Sequence, residues 1–259
     1  TQSRSSAASD VYKRQAAKEH DYTIMLIDTD GSPELEDVAI DTLLSYQVAG
    51  IILSPVSDDA SYRPIYLERL RKANLPVVML DRTLDVTGFS RVVLDNRLAG
   101  KLIGELLVQK NIERVLTLTG PRSSQITRHR LAGLKEAYKE GGVPLTLEQR
   151  PGDYTLQPAY RDMAAHLRRG KLPEAVFGFN QLITLGAMRA LHDAHVSRDD
   201  VLVVGIDRLP YADIFDVTIP CAVHDTYQLG HEAFRLLFEQ TKDPTTVGRE
   251  VTISATLIQ

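Results

Sequence analysis

The segment TGPRSSQITRHRLAG, Thr119 to Gly133, gathers three arginines and a histidine in a chain whose formal net charge is −4. If SSQITRHRLAGLKEAYKE is helical, steps of 100° place Ile126, Arg130, Leu134 and Ala137 on one stripe, and Arg128, Lys135 and Lys139 on the opposite face. Arg128 is then a solvated cation. Arg130 interrupts an apolar face, where a charge costs several kcal/mol unless it is paired and hydrogen-bonded. Two readings stay open for it: a structural ion pair with a nearby carboxylate, or a guanidinium whose planar fork meets two ligand oxygens. Arg122 lies in the loop just before the helix, where backbone N–H groups also gather, and it keeps a phosphorylated ligand in play.

Four other positions carry groups of the same kind. Asn180 in FGFNQL either caps a helix or offers a ligand hydroxyl both a donor and an acceptor. Asp207 in VVGIDRLP accepts and never donates when ionised, and Asp81 in VVMLDR does the same unless it simply pairs with Arg82. Tyr154 in GDYT stacks on the C–H face of a sugar or anchors its loop. Together they offer acceptors, a forked donor, an amide and an aromatic, a set suited to a polyhydroxylated neutral ligand. Two metal readings are weaker than their alternatives. His192 and His195 lack a third ligand and read as surface histidines, and Asp28 and Asp30 in IDTDG read as turn residues.

The elements that must position these groups follow from periodicity. Short runs rich in Val, Ile and Leu alternate from Ala16 with amphipathic stretches of helical length, the pattern of βαβ units on parallel sheets. Strands are predicted at 22–28, 49–53, 76–80, 91–94, 115–119, 175–179 and 201–206, with helices between them. Ser32, Pro33, Glu34 and Glu36 open one helix, and Asp95 or Asn96 caps another. The strands fall into two groups, so the fold class is α/β with two doubly wound parallel-sheet lobes. Parallel sheets bind ligands beyond the carboxyl ends of their strands, and Asp81, Gly120 to Arg130, Asn180 and Asp207 all follow strands.

The chain has 259 residues, 43% hydrophobic and 25% charged, with 30 Lys and Arg against 34 Asp and Glu, a balance that disfavours a surface tracking a phosphate backbone. Cys221 is the only cysteine, which rules out an internal disulfide and is compatible with a reducing cytoplasm. No apolar run approaches the ~18 residues of a spanning helix. Dinucleotide, P-loop, zincin and serine-hydrolase motifs are missing, so the common enzyme classes have no foothold. Residues 1–15, TQSRSSAASDVYKRQ, are small and polar without periodicity, and read as a disordered tail or as a non-native scar of the kind found at broken ends of translated assemblies.

Several segments then match one family in order and spacing: VAGIILSP, LPVVMLDR, VVLDNRLAG, LTGPRSSQITRHRLAG, FNQLITLGAMRAL, VLVVGIDRLP and HDTYQLGHEA. From about Ala16 onward the chain resembles the effector-binding core of the lactose-repressor and galactose-repressor family of bacterial transcription regulators. The resemblance implies a periplasmic-binding-protein-like fold with three crossovers between lobes and a small effector, a sugar or nucleobase-type metabolite, in the cleft. It implies a sensor without catalysis or cofactor, cytoplasmic, dimeric, and bound to DNA only through an N-terminal helix-turn-helix that nothing here matches. By the same resemblance the effector contacts are Asp81, Arg130, Tyr154, Asn180, Asp207 and Thr226, the last on the cleft floor. Gln181 stands where the family usually has Asp, and Ile206 where an aromatic is common, so no one member's specificity carries over. The lobes expected are 16–92 with 226–247, and 93–225 with 248–259. A sugar-binding protein of a transport system shares this fold and is the alternative.

Overall fold

The computed structural model describes residues 20–197, 199–210, 212–215 and 217–259. The expected tail, 1–15, lies outside them. The chain divides into two compact units, one containing the described residues through Leu94 together with Asp225–Ile253, the other Asp95–His224 with Ser254–Gln259.

In the first unit, helix α1 (Pro33–Ser45) leads to strand β1 (Ile51–Leu53), helix α2 (Tyr66–Ala73), β2 (Val77–Leu80) and β3 (Ser90–Leu94). Ser32 caps α1 by accepting from the Leu35 N–H at 3.2 Å, as Ser before Pro-Glu leads one to expect. The sheet runs β1-β2-β3-β9, all parallel, its last strand being β9 (Glu250–Ile253). Val78, Leu80, Val92 and Ile253 pack against Leu229, Ala233 and Leu236 of a long helix, Thr226–Lys242, which is α7 of the chain.

Two expectations fail in this unit. The segment 22–28 alternates like a strand but has no ladder partner among the described residues. Alternation encodes which side chains face an apolar surface, and that part is realised: Tyr22 and Ile24 pack on Phe234 and Phe238 of α7. A ladder also needs a neighbouring edge, and a cavity of about 220 Å³ lies among Tyr22–Leu26, Gly50–Ile52 and α7. The second is at the carboxyl end, where the sequence places all of residues 248–259 in the second lobe. Glu250–Ile253 instead pair with β3, because Val251 and Ile253, two apart, turn one apolar face toward α7.

The second unit contains α3 (Asn96–Gln109), β4 (Arg114–Thr119), α4 (Gln125–Gly141), β5 (Thr146–Pro151), α5 (Leu156–Leu167), β6 (Ala175–Gly178), α6 (Gln181–Asp193), β7 (Leu202–Ile206), β8 (Cys221–His224) and β10 (Ala255–Ile258). The sheet order is β10-β8-β7-β6-β4-β5, with only β10 antiparallel to its neighbour. Val115, Leu116, Leu118, Val176, Phe177, Val204 and Ile206 form its buried centre. Strand β5, TLEQRP, has no strand signature in the sequence; it lies on the sheet edge, half exposed, so it needs no apolar run.

Helices α3 and α4 approach more closely than side chains allow. A Cβ on Gly133 would fall 1.9 Å from the Arg97 carbonyl oxygen, and one on Gly100 2.0 Å from that of Arg130. The rim of this contact is closed by ion pairs, Arg97 to Glu136 at 2.6 Å and Lys101 to Glu140 at 2.8 Å. These surface pairs contribute little individually; the glycines set the spacing.

Candidate functional site

The carboxyl ends of β4, β6, β7 and β8 carry most of the polar residues singled out by sequence. Arg130 lies on the buried stripe of α4 with Ile126, Leu134 and Ala137, whereas Arg128 is exposed and its Nη1 donates to the Ser123 carbonyl at 2.8 Å. Arg130 is only 6% exposed. Its Nε donates to Asn96 Oδ1 at 2.8 Å and its Nη1 to the Phe179 carbonyl. Neither partner is a carboxylate, so these bonds orient the guanidinium and leave its positive charge uncancelled. Nη2 takes part in neither bond.

The cap of α3 explains how Asn96 comes to pair with Arg130. Asp95 Oδ1 accepts from the Leu98 N–H at 2.9 Å and serves as the N-cap. Asn96, one residue inside the helix, then points its amide at Arg130. Sequence left Asp95 and Asn96 as alternative caps; the pairing with Arg130, 34 positions away, decides between their roles.

Asn180 does what its position after a strand suggests. Its Oδ1 accepts from the Ile183 N–H at 2.8 Å and caps α6, while its Nδ2 donates to the Tyr154 carbonyl at 2.9 Å. The amide therefore clamps the Tyr154 loop, with one N–H remaining on Nδ2. Tyr154 itself sits at φ +66°, its hydroxyl bonded to Ser124 Oγ at 2.9 Å and Thr127 Oγ1 at 2.6 Å. Its ring lies where a Cβ on Gly120 would be, 2.0 Å from Cζ. The loop-anchoring role of this aromatic is thus realised in the fold. Replacing Tyr154 by Phe removes both hydroxyl contacts and is expected to cost about 1–2 kcal/mol, read as a lower urea midpoint; an unchanged midpoint would show that the loop is held by Asn180 alone.

Asp207 follows β7 at φ +64° and its N–H donates to the Ala222 carbonyl at 2.8 Å. In the first unit Asp81 follows β2 at φ +63°, with its N–H bonded to the Val92 carbonyl at 2.9 Å. Each is turned left-handed directly after a strand and tied to the next strand of its sheet. Asp tolerates this region better than most residues, at a modest cost that recurs at functional positions. Arg82, offered as a partner for Asp81, donates from Nη1 to the Val56 carbonyl at 3.0 Å. Thr226 is the first residue of α7, half-buried, beside the cap Asp225. Arg122 is exposed in the loop before Ser124, the cap of α4.

Sequence missed Glu36. It reads as a first-turn acid of α1, yet it is 1% exposed, accepting from the Val56 N–H and the Tyr62 hydroxyl, both at 2.7 Å. It thereby holds the 54–62 loop after β1. Burial raises its carboxyl above the ordinary range, opposed by Tyr62, the Val56 amide, Tyr66 and Arg82. A group raised on folding contributes stability below its unfolded pKa and loses it as pH rises through the folded value. Wild type should therefore lose stability relative to Glu36→Gln as pH rises from 4.5 toward neutrality. Urea midpoints of both proteins at pH 4.5 and 7 check this; parallel responses would show that Glu36 does not titrate in that window.

Other candidates have local roles. Asp28 Oδ1 accepts from the Asp30 N–H at 3.0 Å, a turn. His192 is exposed beside Asp193. Among the described residues no three His, Cys, Asp or Glu side chains are grouped to hold a metal ion, and no helix is long and apolar enough to cross a membrane. Burial, with Asp207 nearby, pushes the Cys221 thiol up to about 11.

Two α/β units built on parallel sheets, three chain passages between them and polar side chains collected at strand carboxyl ends define a periplasmic-binding-protein-like protein. The chain belongs to the family described as periplasmic binding proteins and the sugar-binding domain of the LacI family, matched over residues 12–259. It is 26% identical over 245 residues to the ribose operon repressor of Escherichia coli K12, spanning 93% of this chain and 73% of that protein. It is 28% identical over 252 residues to the galactofuranose-binding protein YtfQ of the same organism, 92% of this chain and 78% of the relative. The fold superposes with a TM-score of 0.88 on the Cra regulator of Pseudomonas putida, solved with fructose 1-phosphate, at 18% identity over 100% of this chain and 94% of that one.

Proposed function

We propose that the chain is the effector-sensing and dimerising part of a DNA-binding transcription regulator, acting in the cytoplasm without catalysis and responding to a small sugar-like metabolite. The observation that carries this reading is Arg130: a buried guanidinium at strand carboxyl ends, oriented by Asn96 and the Phe179 carbonyl with its charge uncancelled and Nη2 to spare. Such a group suits a ligand rich in oxygen. Asn180, Tyr154 and Asp207 are the remaining contacts of the second unit, and Asp81 and Thr226 those of the first. Family membership and the ribose operon repressor support the regulator. The galactofuranose-binding relative supports the transport alternative. Leu35 and Val38, exposed one turn apart on α1 with exposed Tyr46 just beyond, support a homodimer.

Regulation follows from a population shift. An effector changes DNA affinity only if it binds two arrangements of the protein unequally. The test is a thermal-shift screen with D-ribose, D-galactose, D-ribose 5-phosphate, D-fructose 1-phosphate and hypoxanthine. A saturable rise in melting temperature with one of them is expected, and no response to any of them would sink the reading. Operator binding by the intact gene product, altered by the same compound, separates a regulator from a transport protein.

A further inference from the structure

Glu36 is a carboxylate that the fold holds at a cost. It is 1% exposed in the first turn of α1, and burial keeps its carboxyl above the ordinary range, so the fold loses stability as it ionises. What the charge supplies is a hold on the loop after β1: Oε1 accepts from the Val56 N–H and Oε2 from the Tyr62 hydroxyl, both at 2.7 Å. The other backbone group of Val56 is held as well. Its carbonyl accepts from Arg82 Nη1 at 3.0 Å, and Arg82 follows Asp81 directly. The ladder sets these segments side by side, since Leu53 ends β1 opposite Met79 of β2. Asp81 stands at φ +63°, with its N–H bonded to the Val92 carbonyl at 2.9 Å. A residue in that region persists only where its surroundings over-determine it. Strand β3 supplies one restraint, and the relay from Glu36 through Val56 to Arg82 supplies a second.

We propose that Glu36 is a positioning residue for the effector, acting through Val56 and Arg82 on Asp81, so that effector binding is linked to loss of the Glu36 proton. The inference rests on the proposed function and adds to it a dependence on pH. The ionised carboxylate accepts both bonds, and both are then charge-assisted. Once protonated, one of its oxygens carries a hydrogen toward a donor, and one of the two contacts is lost or must be remade. Tyr62 of the loop, Tyr66 of α2 and Arg82 after β2 face it. Burial, and then the carboxylate itself, push both phenols above their ordinary range, so they stay protonated. On its own helix Glu34 is bonded to Ser32, and Asp37 and Asp41 are engaged by Arg69 of α2. The proton exchanged in this cluster below neutrality is therefore that of Glu36. An effector that binds the held loop favours the ionised form, and its affinity rises with pH through the folded pKa of Glu36. Stability moves the other way over the same window.

The experiment is isothermal titration of wild type and Glu36→Gln, at pH 4.5 and 7, with a compound of the screen that binds. Glu36→Gln has the shape and charge of the protonated form. At pH 7 it is expected to bind about fivefold more weakly than wild type, the equivalent of one lost hydrogen bond; at pH 4.5 the two should bind alike. The ratio of the two affinities cancels the titration of the ligand and of the other carboxyls. A structural role alone would move binding and stability together, whereas here the affinity gap opens as the stability of wild type falls relative to the variant. In an Arg82→Ala background Glu36→Gln should cost nothing further, because the link to Asp81 is already cut. If Glu36→Gln does not fold, Tyr62→Phe carries the test: it lacks one bond that favours the carboxylate, so its rise in affinity should lie at higher pH than that of wild type. An affinity ratio that does not change with pH overturns the inference, as does a full additional loss in the Arg82→Ala background or an unshifted profile in Tyr62→Phe. In each of those outcomes the binding of the compound to wild type still supports the proposed function. If none of the five compounds binds wild type, that function fails and the inference with it.

Discussion

Arg130→Ala should lower the stability of the second unit by about 3–5 kcal/mol, before any ligand is added. The substitution leaves Asn96 Oδ1 and the Phe179 carbonyl without their donor in a buried setting, and each unpaired group costs about 1–3 kcal/mol. The lost volume of a largely buried arginine adds to this. At roughly 2–4 °C per kcal/mol for a protein of this size, the melting temperature should fall by about 6–20 °C. Arg130→Lys should recover only part of it, since one ammonium does not reproduce two N–H groups held in a fixed plane. A stability change within about 0.5 kcal/mol would mean that neither bond is made in solution. Loss of effector binding in the alanine variant is thus not by itself proof of a ligand contact. Arg130→Lys separates the two: a variant that regains stability relative to Arg130→Ala but still does not bind places Nη2 on the ligand.

The second large effect is expected far from any ligand-type residue. Gly133→Ala places a methyl group 1.9 Å from the Arg97 carbonyl oxygen, a backbone atom in the first turn of α3 that no side-chain rotation moves away. In an open helix the same change would stabilise by about 1 kcal/mol through propensity. Here α3 and α4 must separate by more than an ångström, and overpacking of this kind costs about 1–3 kcal/mol or more. With the propensity gain subtracted, the net loss should be about 1–2 kcal/mol. The same separation would pull Asn96 from Arg130, so effector binding and stability should weaken together. Urea unfolding of Gly133→Ala beside Gly142→Ala separates close packing from loss of a left-handed glycine. Gly142, at φ +68°, has no atom within 4 Å of its would-be Cβ. Equal losses in the two variants would remove the packing explanation.

The two predictions share one cause. The glycines let the helices approach, the approach brings the first turn of α3 to the middle of α4, and Asn96 then fixes Arg130. The charge cluster in TGPRSSQITRHRLAG is divided by this geometry into an exposed Arg122, a surface Arg128 bound to its own loop and a buried Arg130. Helical periodicity alone separates Arg128 from Arg130. It does not reveal that the partner of Arg130 is an amide rather than a carboxylate, because that partner comes from another helix.

By itself the sequence determined the alternation of strands and helices, the caps at Ser32 and Asn180, the stripe that buries Arg130 and the division into two sheets. These depend on groups a few residues apart and on the periods of helix and strand, so they are written locally. What only the tertiary structure decided depends on contacts between distant segments. Glu36 is a surface acid until the loop after β1 folds over it and Tyr62 closes on it. Segment 22–28 has the pattern of a strand but takes part in no ladder among the described residues, since pairing belongs to two edges and pattern to one. Residues 250–253 join the first sheet because β3 offers an edge and α7 an apolar face. The burial of both His224 ring nitrogens without a hydrogen-bond partner among the described residues is likewise decided only by the packed fold. Burial and the satisfaction of polar groups are properties of the packed chain, so no pattern of neighbouring residues reveals them.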